Sequence, residues 1–294
     1  MSTPLQRIDA HQHFWRVSRG DYRWLRADNP ALATIHRDIE PTDLEPLLTQ
    51  HHVVKTIAVQ AADSEAETDH LLALAREHDF IAGVVGWVDL ADERCVATLA
   101  RWTDNNQKKL KGVRPMLQDL PDHDWIATRP HPAAVRELLH RGLRFDALVQ
   151  PWHLEPLLRF VDTWPDLPVM IDHAAKPQLA MGWSAPWADD WLRGMRELAR
   201  RPQVWCKVSG LLTEAAAPAR EGGDAGFTAL EPVWQTVLEL FGPQRIVWGS
   251  DWPVLELAAD YGRWIALSDL LFAGISEAER RAVWHDNAVR FYGL

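Results

Sequence analysis

The feature that most constrains the fold is a regular alternation of short apolar segments with longer helical segments along 294 residues. The apolar segments are rich in Val and Ile, as is typical of parallel strands that are covered on both faces. Eight strand–helix units in a chain of this length predict an α/β protein, a single-domain (β/α)8 TIM barrel over residues 1–294. The predicted strands are 7–15, 55–61, 82–88, 110–116, 144–150, 168–173, 203–208 and 245–251.

A predicted helix follows each strand, and two helices begin with the spacing of a capping box, at Ser64 to Glu67 and at Ser276 to Glu279. The alternative fold is a doubly wound sheet, which normally has a glycine-rich phosphate turn after its first strand. Here His11-Gln-His13 occupies that position, which favours the barrel. The predicted helices are 43–50, 64–78, 92–103, 132–140, 153–163, 186–200, 227–241, 261–271 and 276–289.

The first strand carries two histidines, His11 and His13, one residue apart. Side chains alternate between the two faces of a strand, so we expect Asp9, His11 and His13 to share one face. Two adjacent imidazoles suit a metal ion or a carbonyl oxygen that needs two partners. Such a pair also occurs by chance, so its meaning depends on the other strands.

Charge and cysteine content exclude several classes of function. The formal net charge of −10 argues against nucleic acid or an anionic membrane as a partner, because both require a basic surface. The two cysteines, Cys95 and Cys206, form neither a disulfide framework nor a CxxC metal site. With no signal region and no apolar run of membrane-spanning length, the sequence indicates a cytoplasmic protein. It gives no indication of oligomeric state.

Polar residues recur where the predicted strands end. In a TIM barrel the carboxyl ends of the strands carry the active site, and burying unpaired polar groups there costs about 1–3 kcal/mol each. We therefore expect these residues to form one site, and we expect Asp172 to face outward because His173 follows Ile171 by two residues. The residues are His11, His13, Arg114, Gln150, His173, Lys207, Ser209 and Asp251.

These residue types suit the addition of water to a carbonyl group. The three histidines and Asp251 could hold a divalent ion, or the histidines could donate to the carbonyl oxygen while Asp251 takes a proton from water. Arg114 and Lys207 suit an anionic or hydroxyl-rich substrate. A structural ion pair for Lys207 and a loop-fixing role for Gln150 remain equally open. There is no G-x-S-x-G nucleophile motif.

Long loops are expected to cover the mouth of the site. The segment 16–41 is long for a plain connection, and long loops in compact domains are often functional. It contains Trp24, and the later loop 179–187 contains Trp183. Either indole could bind the face of a sugar or simply pack against the protein.

Several motifs together resemble the amidohydrolase superfamily, in particular its sugar-lactonase branch of L-fuconolactonases, L-rhamnonolactonases and pyrone-dicarboxylate lactonases. L-fuconolactonases are the nearest match. The resemblance covers nearly the whole chain and implies a (β/α)8 barrel that opens lactone rings with water. The motifs are Ile8-Asp-Ala-His-Gln-His13, Ser18-Arg-Gly-Asp-Tyr22, Gly83-Val-Val-Gly-Trp-Val-Asp-Leu90, Lys111-Gly-Val-Arg114, Ile171-Asp-His-Ala-Ala-Lys-Pro177, Val204-Trp-Cys-Lys-Val-Ser-Gly210, Trp248-Gly-Ser-Asp-Trp-Pro253 and Asn287-Ala288.

The resemblance also implies roles for the site residues. Asp251 matches the general base, and Arg114 matches a substrate-positioning residue. His11, His13 and His173 match residues that polarise the lactone carbonyl or, with Asp251, hold one divalent ion, for which zinc is the first choice. No organic cofactor is implied, and the expected partner is a small sugar-lactone substrate.

The sequence departs from the metal-rich members of the superfamily in the middle strands. Those members have a further histidine or a bridging lysine there, whereas the fourth and fifth predicted strands end in Arg114 and Gln150. Three alternatives stay open at this point. They are a metal-dependent decarboxylase of the same superfamily, a lactonase for a muconolactone or pyrone-type ring, and a sugar-acid binding protein without activity.

Overall fold

The computed structural model describes residues 5–104 and 108–294, and its centre is one sheet of eight parallel strands. The strands follow one another around the sheet in chain order. This order confirms the predicted succession of strand–helix units. The strands are β1 Arg7–Gln12, β2 Val53–Val59, β3 Ile81–Gly86, β4 Leu110–Val113, β5 Arg144–Ala147, β6 Val169–Ile171, β7 Val204–Val208 and β8 Ile246–Trp248.

The last strand returns to the first and nearly closes the barrel. The backbone N–H of Asp251 donates to the His11 carbonyl oxygen at 2.8 Å, and the N–H of His13 donates to the Trp252 carbonyl oxygen at 2.8 Å. Gln12 and Trp252 form a parallel bridge at the same point. These bonds lie just beyond the end of β8, so closure itself brings Asp251 beside the two histidines. The (β/α)8 TIM barrel is therefore confirmed.

Helices lie between consecutive strands, and several short helices were not predicted. The Ser64 hydroxyl accepts from the Glu67 N–H at 3.1 Å, and Ser276 with Glu279 forms the expected reciprocal capping box. No helix in the described ranges is long and apolar enough to cross a bilayer. The helices are α1 Pro41–Gln50, α2 Glu65–Glu77, α3 Cys95–Thr103, α4 Trp125–Thr128, α5 Pro132–His140, α6 Leu154–Thr163, α7 Trp187–Ala199, α8 Leu211–Glu214, α9 Ala217–Arg220, α10 Gly223–Phe241, α11 Tyr261–Leu271, α12 Glu277–Arg281 and α13 Asn287–Tyr292.

The expectation that Asp9 shares a face with the two histidines is wrong. Asp9 points away from the barrel interior, where its carboxylate accepts from the Ser250 hydroxyl at 2.6 Å and from the Tyr261 hydroxyl at 2.9 Å. Ala10, next in sequence, belongs to the interior apolar cluster with Val247. The reason is a register shift between Asp9 and Gln12, since such an irregularity breaks the strict alternation of side chains. Asp9 thus ties β1 to α11 and to the segment after β8.

Candidate active site

Three imidazoles meet one carboxylate at the carboxyl end of the barrel. Asp251 Oδ1 lies 3.3 Å from His13 Nε2, 3.6 Å from His11 Nε2 and 3.8 Å from His173 Nε2. All four side chains are at least 95% buried. The structure thus brings together the four residues that the sequence singled out for catalysis or metal binding.

His13 is oriented by the neighbouring strand. Its Nδ1 is 2.8 Å from the carbonyl oxygen of Val59 at the end of β2, and because a carbonyl only accepts, Nδ1 carries the hydrogen. A neutral His13 therefore presents a lone pair at Nε2 toward Asp251. Two lone pairs at 3.3 Å repel, so this pair requires a proton or a cation between them.

His173 reaches the site through a left-handed turn after β6. Its φ is 53°, and the next three residues, Ala174, Ala175 and Lys176, also have positive φ, at 48°, 61° and 48°. The His173 Nδ1 is 2.9 Å from the Ser209 hydroxyl, which follows β7. The hydroxyl fixes the ring so that Nε2 faces Asp251.

A glycine makes room for this arrangement. A Cβ at Gly210 would lie 2.7 Å from His173 Nδ1 and 2.9 Å from Asp251 Oδ2, both closer than real Cβ contacts. Gly210 also has a φ of 61°, which L side chains rarely adopt. Asp251 itself has a φ of 63°, which directs its carboxylate over the end of the barrel.

Burial and neighbouring charge set the protonation of the site. Burial lowers the pKa of His173 to about 4 and holds the pKa of His11 well below its ordinary value. Burial alone would raise the pKa of Asp251, but the neighbouring histidines, His173 first, outweigh it, so this pKa lies below the ordinary carboxyl range. At neutral pH the site thus combines an ionised carboxylate with neutral His11 and His173.

Arg114 lies beside His11 and lines the cavity, as expected for a substrate-positioning residue. Its Nη1 is 3.3 Å from His11 Nε2, and another guanidinium nitrogen donates to the Gln60 carbonyl oxygen. Gln60 returns a bond from its side-chain amide to the Arg114 carbonyl oxygen at 2.5 Å. This reciprocal pairing holds the guanidinium at the cavity edge.

Lys207 and Asp172 are placed differently from the expectations. Asp172 does not face outward. It is fully buried in the barrel interior, 2.9 Å from Lys207 Nζ and 3.4 Å from His11 Nδ1. Alternation within β6 runs from Met170, an interior residue, whereas Ile171 packs toward the helices. The prediction took Ile171 as the residue that faces the interior, whereas Met170 does, and Asp172 faces inward with it.

Lys207 does not line the substrate cavity. Its ammonium is fully buried below His11, 2.7 Å from Asp146 and 3.3 Å from His11 Nδ1. This geometry supports a structural ion pair as the role of Lys207. Burial would lower the pKa of Lys207, but Asp146 and Asp172 outweigh it and raise this pKa above its usual value.

Gln150 is also not brought to the cavity. It lies at the N-terminus of the short helical turn Pro151–His153, where its backbone N–H donates to His153 Nδ1 at 3.1 Å. The loop-fixing alternative fits this placement. The cavity side chain after β5 is Leu148, because β5 ends at Ala147, three residues earlier than predicted.

The cavity above the four catalytic candidates has a volume of about 280 Å³. Trp24 forms part of its wall, and its indole N–H donates to the Ala61 carbonyl oxygen at 2.7 Å. Trp183, the other candidate for the sugar face, is 40% exposed and packs against Trp187. Sequence reasoning missed three charged wall residues, Asp119, Lys176 and Glu214. Lys176 falls within the quoted motif 171–177, so its position beside His173 was a usable signal.

The donor set fits a divalent ion. Tetrahedral zinc with bonds of about 2.0–2.2 Å holds its ligand atoms about 3.3–3.5 Å apart, close to the spacings between Asp251 Oδ1 and the histidine nitrogens. The ligand atoms of His11, His13 and Asp251 all lie within 4.8 Å of one another. A cation between His13 Nε2 and the Asp251 carboxylate would accept a lone pair from each and remove their repulsion.

Comparison with known proteins agrees with this geometry. Residues 8–294 match the family described as Amidohydrolase. The chain belongs to the amidohydrolase family. The resemblance noted from the sequence motifs is thereby confirmed.

Relatives of this amidohydrolase include two curated enzymes. It is 43% identical to the L-fucono-1,5-lactonase of Burkholderia ambifaria, over 98% of this chain and 96% of that one. It is 38% identical to the L-fucono-1,5-lactonase of Burkholderia multivorans, again over 98% and 96%.

A solved amidohydrolase structure from Burkholderia multivorans with bound zinc superposes with a TM-score of 0.88 at 37% identity, covering 98% of this chain and 99% of that chain. A second from the same species, with bound HEPES, has a TM-score of 0.90 at 36% identity and covers the same shares. The fold thus has a solved counterpart that contains bound zinc.

Proposed function

We propose that this amidohydrolase opens the ring of a sugar-acid lactone by adding water, with L-fucono-1,5-lactone as the model substrate. The observation that carries the proposal is the single carboxylate, Asp251, that faces three buried imidazoles at the base of a cavity. The full-length similarity to two L-fucono-1,5-lactonases supports the choice of substrate.

In the proposed reaction Asp251 accepts a proton from water while the water oxygen bonds to the lactone carbonyl carbon. The carbonyl oxygen becomes an oxyanion, and the Arg114 guanidinium at the cavity edge donates to it. The tetrahedral intermediate then collapses, the bond between the carbonyl carbon and the ring oxygen breaks, and that oxygen takes the proton from Asp251. The product is the open-chain hydroxy acid.

We also propose that His11, His13, His173 and Asp251 bind one divalent ion, and that this ion is zinc. A bound zinc ion would polarise the lactone carbonyl as a Lewis acid. Measured zinc content tests this point: we expect about one equivalent in the wild type and a clear loss in Asp251→Asn. Equal zinc in both proteins would contradict binding at this site.

The decisive experiment for the function follows acid release from L-fucono-, L-rhamnono- and L-galactono-lactones. We expect wild-type turnover and a loss of about 10²–10⁴-fold in kcat for Asp251→Asn, because that amide cannot accept the proton. Thermal unfolding of both proteins controls for folding. Activity no greater than that of Asp251→Asn on every lactone would overturn the proposal.

We also propose that the reaction belongs to cytoplasmic carbohydrate metabolism. The two cysteines that suggested a reducing compartment, Cys95 and Cys206, are both buried free thiols. Fractionation of the native host, followed by lactonase assay, tests the compartment, and activity confined to a membrane or secreted fraction would contradict it.

A further inference from the structure

An ion pair between Lys176 and Glu214 borders the cavity. Lys176 Nζ is 2.8 Å from Glu214 Oε1, and the two side chains are 17% and 20% exposed. Both line the cavity that also contains His173 and Asp251. The proposed chemistry uses neither residue.

The backbone places Lys176 here at a cost. Lys176 ends the run of four non-glycine residues with positive φ that begins at His173. Each such residue costs on the order of 1 kcal/mol, and such strain persists only where the surroundings enforce it. Trp191 does so here, because its indole N–H donates to the Ala174 carbonyl oxygen at 2.7 Å. The same strained turn therefore directs both His173 and Lys176 into the cavity.

Glu214 comes from the neighbouring loop. It is the last residue of α8, which begins directly after Gly210, the glycine that accommodates His173 and Asp251. The pair thus joins the segments that follow β6 and β7. Its position relative to the catalytic groups is set by the same short stretches of chain that set those groups.

The rest of the wall combines apolar side chains with three other polar residues, Gln118, Asp119 and Thr213. Leu32, Leu148, Val254 and Leu257 present apolar surface to the cavity. The hydroxyl groups of a sugar lactone lose bonds to water on entry and need replacements, since an unmet buried hydroxyl costs about 1–3 kcal/mol. The Arg114 guanidinium is already held by Gln60 and lies beside His11.

We propose that the Lys176–Glu214 pair determines substrate specificity by binding two neighbouring hydroxyl groups of the lactone. An ammonium only donates hydrogen bonds and a carboxylate only accepts them, whereas each hydroxyl does both. Lys176 donates to one hydroxyl oxygen, and the adjacent hydroxyl donates to Glu214. This inference rests on the lactonase function proposed above and concerns which lactones bind.

The alternative is that the ion pair only links the loops that follow β6 and β7. The two roles predict different kinetics. If the pair only holds the two loops together, its loss should change kcat/KM by the same factor for every lactone. A lost hydroxyl contact weakens only substrates that carry the hydroxyls, because a site that hydrogen-bonds a substrate group discriminates against analogues without it. The diagnostic quantity is therefore the ratio of kcat/KM for a sugar lactone to kcat/KM for an unsubstituted lactone.

The test compares L-fucono-1,5-lactone with δ-valerolactone, an unsubstituted six-membered lactone, in Lys176→Met and Glu214→Gln. We expect each variant to reduce the ratio at least about tenfold, mainly through a higher KM for the sugar lactone. Lys111→Met is the matched control, since Lys111 is half-buried and donates to the Gly293 carbonyl oxygen rather than into the cavity. It should leave the ratio unchanged.

The proposal alone is overturned if both cavity variants keep the wild-type ratio of kcat/KM for the sugar lactone to kcat/KM for δ-valerolactone. This holds whether turnover of the two lactones is intact or equally reduced. Absence of turnover of both lactones by the wild type, at the level of Asp251→Asn, overturns the proposed function and this inference with it. Should Lys176→Met not fold, Glu214→Gln decides the question, because it preserves the shape of the side chain.

Discussion

Lys207 illustrates how a single residue supports the site without touching the cavity. Its ammonium group has no exposure to solvent and is neutralised by Asp146 in β5 and by Asp172, the residue after β6. The Tyr292 hydroxyl donates to Asp146 at 2.7 Å and completes the cluster. Since Asp172 and Lys207 both contact His11 Nδ1, this cluster holds the ring whose Nε2 faces Asp251.

Replacing Lys207 with methionine should destabilise the protein strongly. The substitution leaves two carboxylates buried without their cation, which costs about 3–5 kcal/mol. Urea unfolding followed by tryptophan fluorescence measures the loss. Lys55→Met, at an exposed lysine, is the control and should change the free energy of unfolding by no more than about 0.5 kcal/mol. Equal stability of the two variants would contradict the role given to Lys207.

Gly210 offers a sharper test of site geometry. Gly210→Ala places a methyl group against His173 and Asp251, and we expect kcat/KM to fall at least about 10²-fold. Gly142→Ala is a matched control, because Gly142 has a φ of 64° and no atom within 4 Å of the added Cβ. Both variants carry the same backbone strain, so a similar kcat/KM in both would show that crowding at Gly210 is unimportant.

At the scale of elements, the loop between β1 and α1 is fastened over the cavity by a buried carboxyl group. The Tyr22 hydroxyl donates to Glu67 Oε2 at 2.7 Å, and the Ala61 N–H donates to Oε1 at 3.1 Å. Arg19 Nη2 is 3.5 Å from the same carboxylate. Glu67 thus joins the loop that carries Trp24 to α2, instead of closing the capping box that its spacing suggested.

Glu67 should make stability depend on pH. Burial raises the pKa of Glu67 to about 7, so the folded state binds this proton more tightly than the unfolded chain does. The stabilisation is fully present below the unfolded pKa of about 4.3 and is lost as pH rises through about 7.

The comparison with Glu67→Gln isolates this effect, because glutamine does not titrate. Its Oε1 can still accept from the Ala61 N–H, and its Nε2 can donate to the Tyr22 hydroxyl oxygen. We expect the Tm of the variant to rise relative to the wild type between pH 5 and pH 8. A difference in Tm that is the same at both pH values would show that Glu67 does not titrate in this range.

Sequence reasoning succeeded where elements follow local pattern and failed where pairing is non-local. The eight strands were readable because each is a short apolar segment between helices. The position of Asp9 was not, because a register shift interrupts alternation in β1. Asp172 follows the alternation from Met170, and the left-handed turn after it still brings His173 into the site, which no local pattern indicates. The partners of Lys207, Asp146 and Asp172, lie far from it in sequence, and no spacing in the sequence indicates such contacts.

For the whole molecule, closure of the barrel is what assembles the reactive groups. His11 and His13 end the first strand and Asp251 follows the last, so their meeting depends on the backbone bonds between these two ends. His173 arrives from β6, across the barrel mouth. We propose that this assembly directs a water molecule at the lactone carbonyl carbon, with Asp251 as its base.

Single-turnover hydrolysis of L-fucono-1,5-lactone in water labelled with oxygen-18 distinguishes attack by water from attack by the Asp251 carboxylate. If Asp251 acts as a base, each product molecule carries one labelled oxygen in its carboxylate, and the Asp251 peptide carries none. Unlabelled product together with label in Asp251 would contradict the account, because it would show that the Asp251 carboxylate attacks the lactone itself.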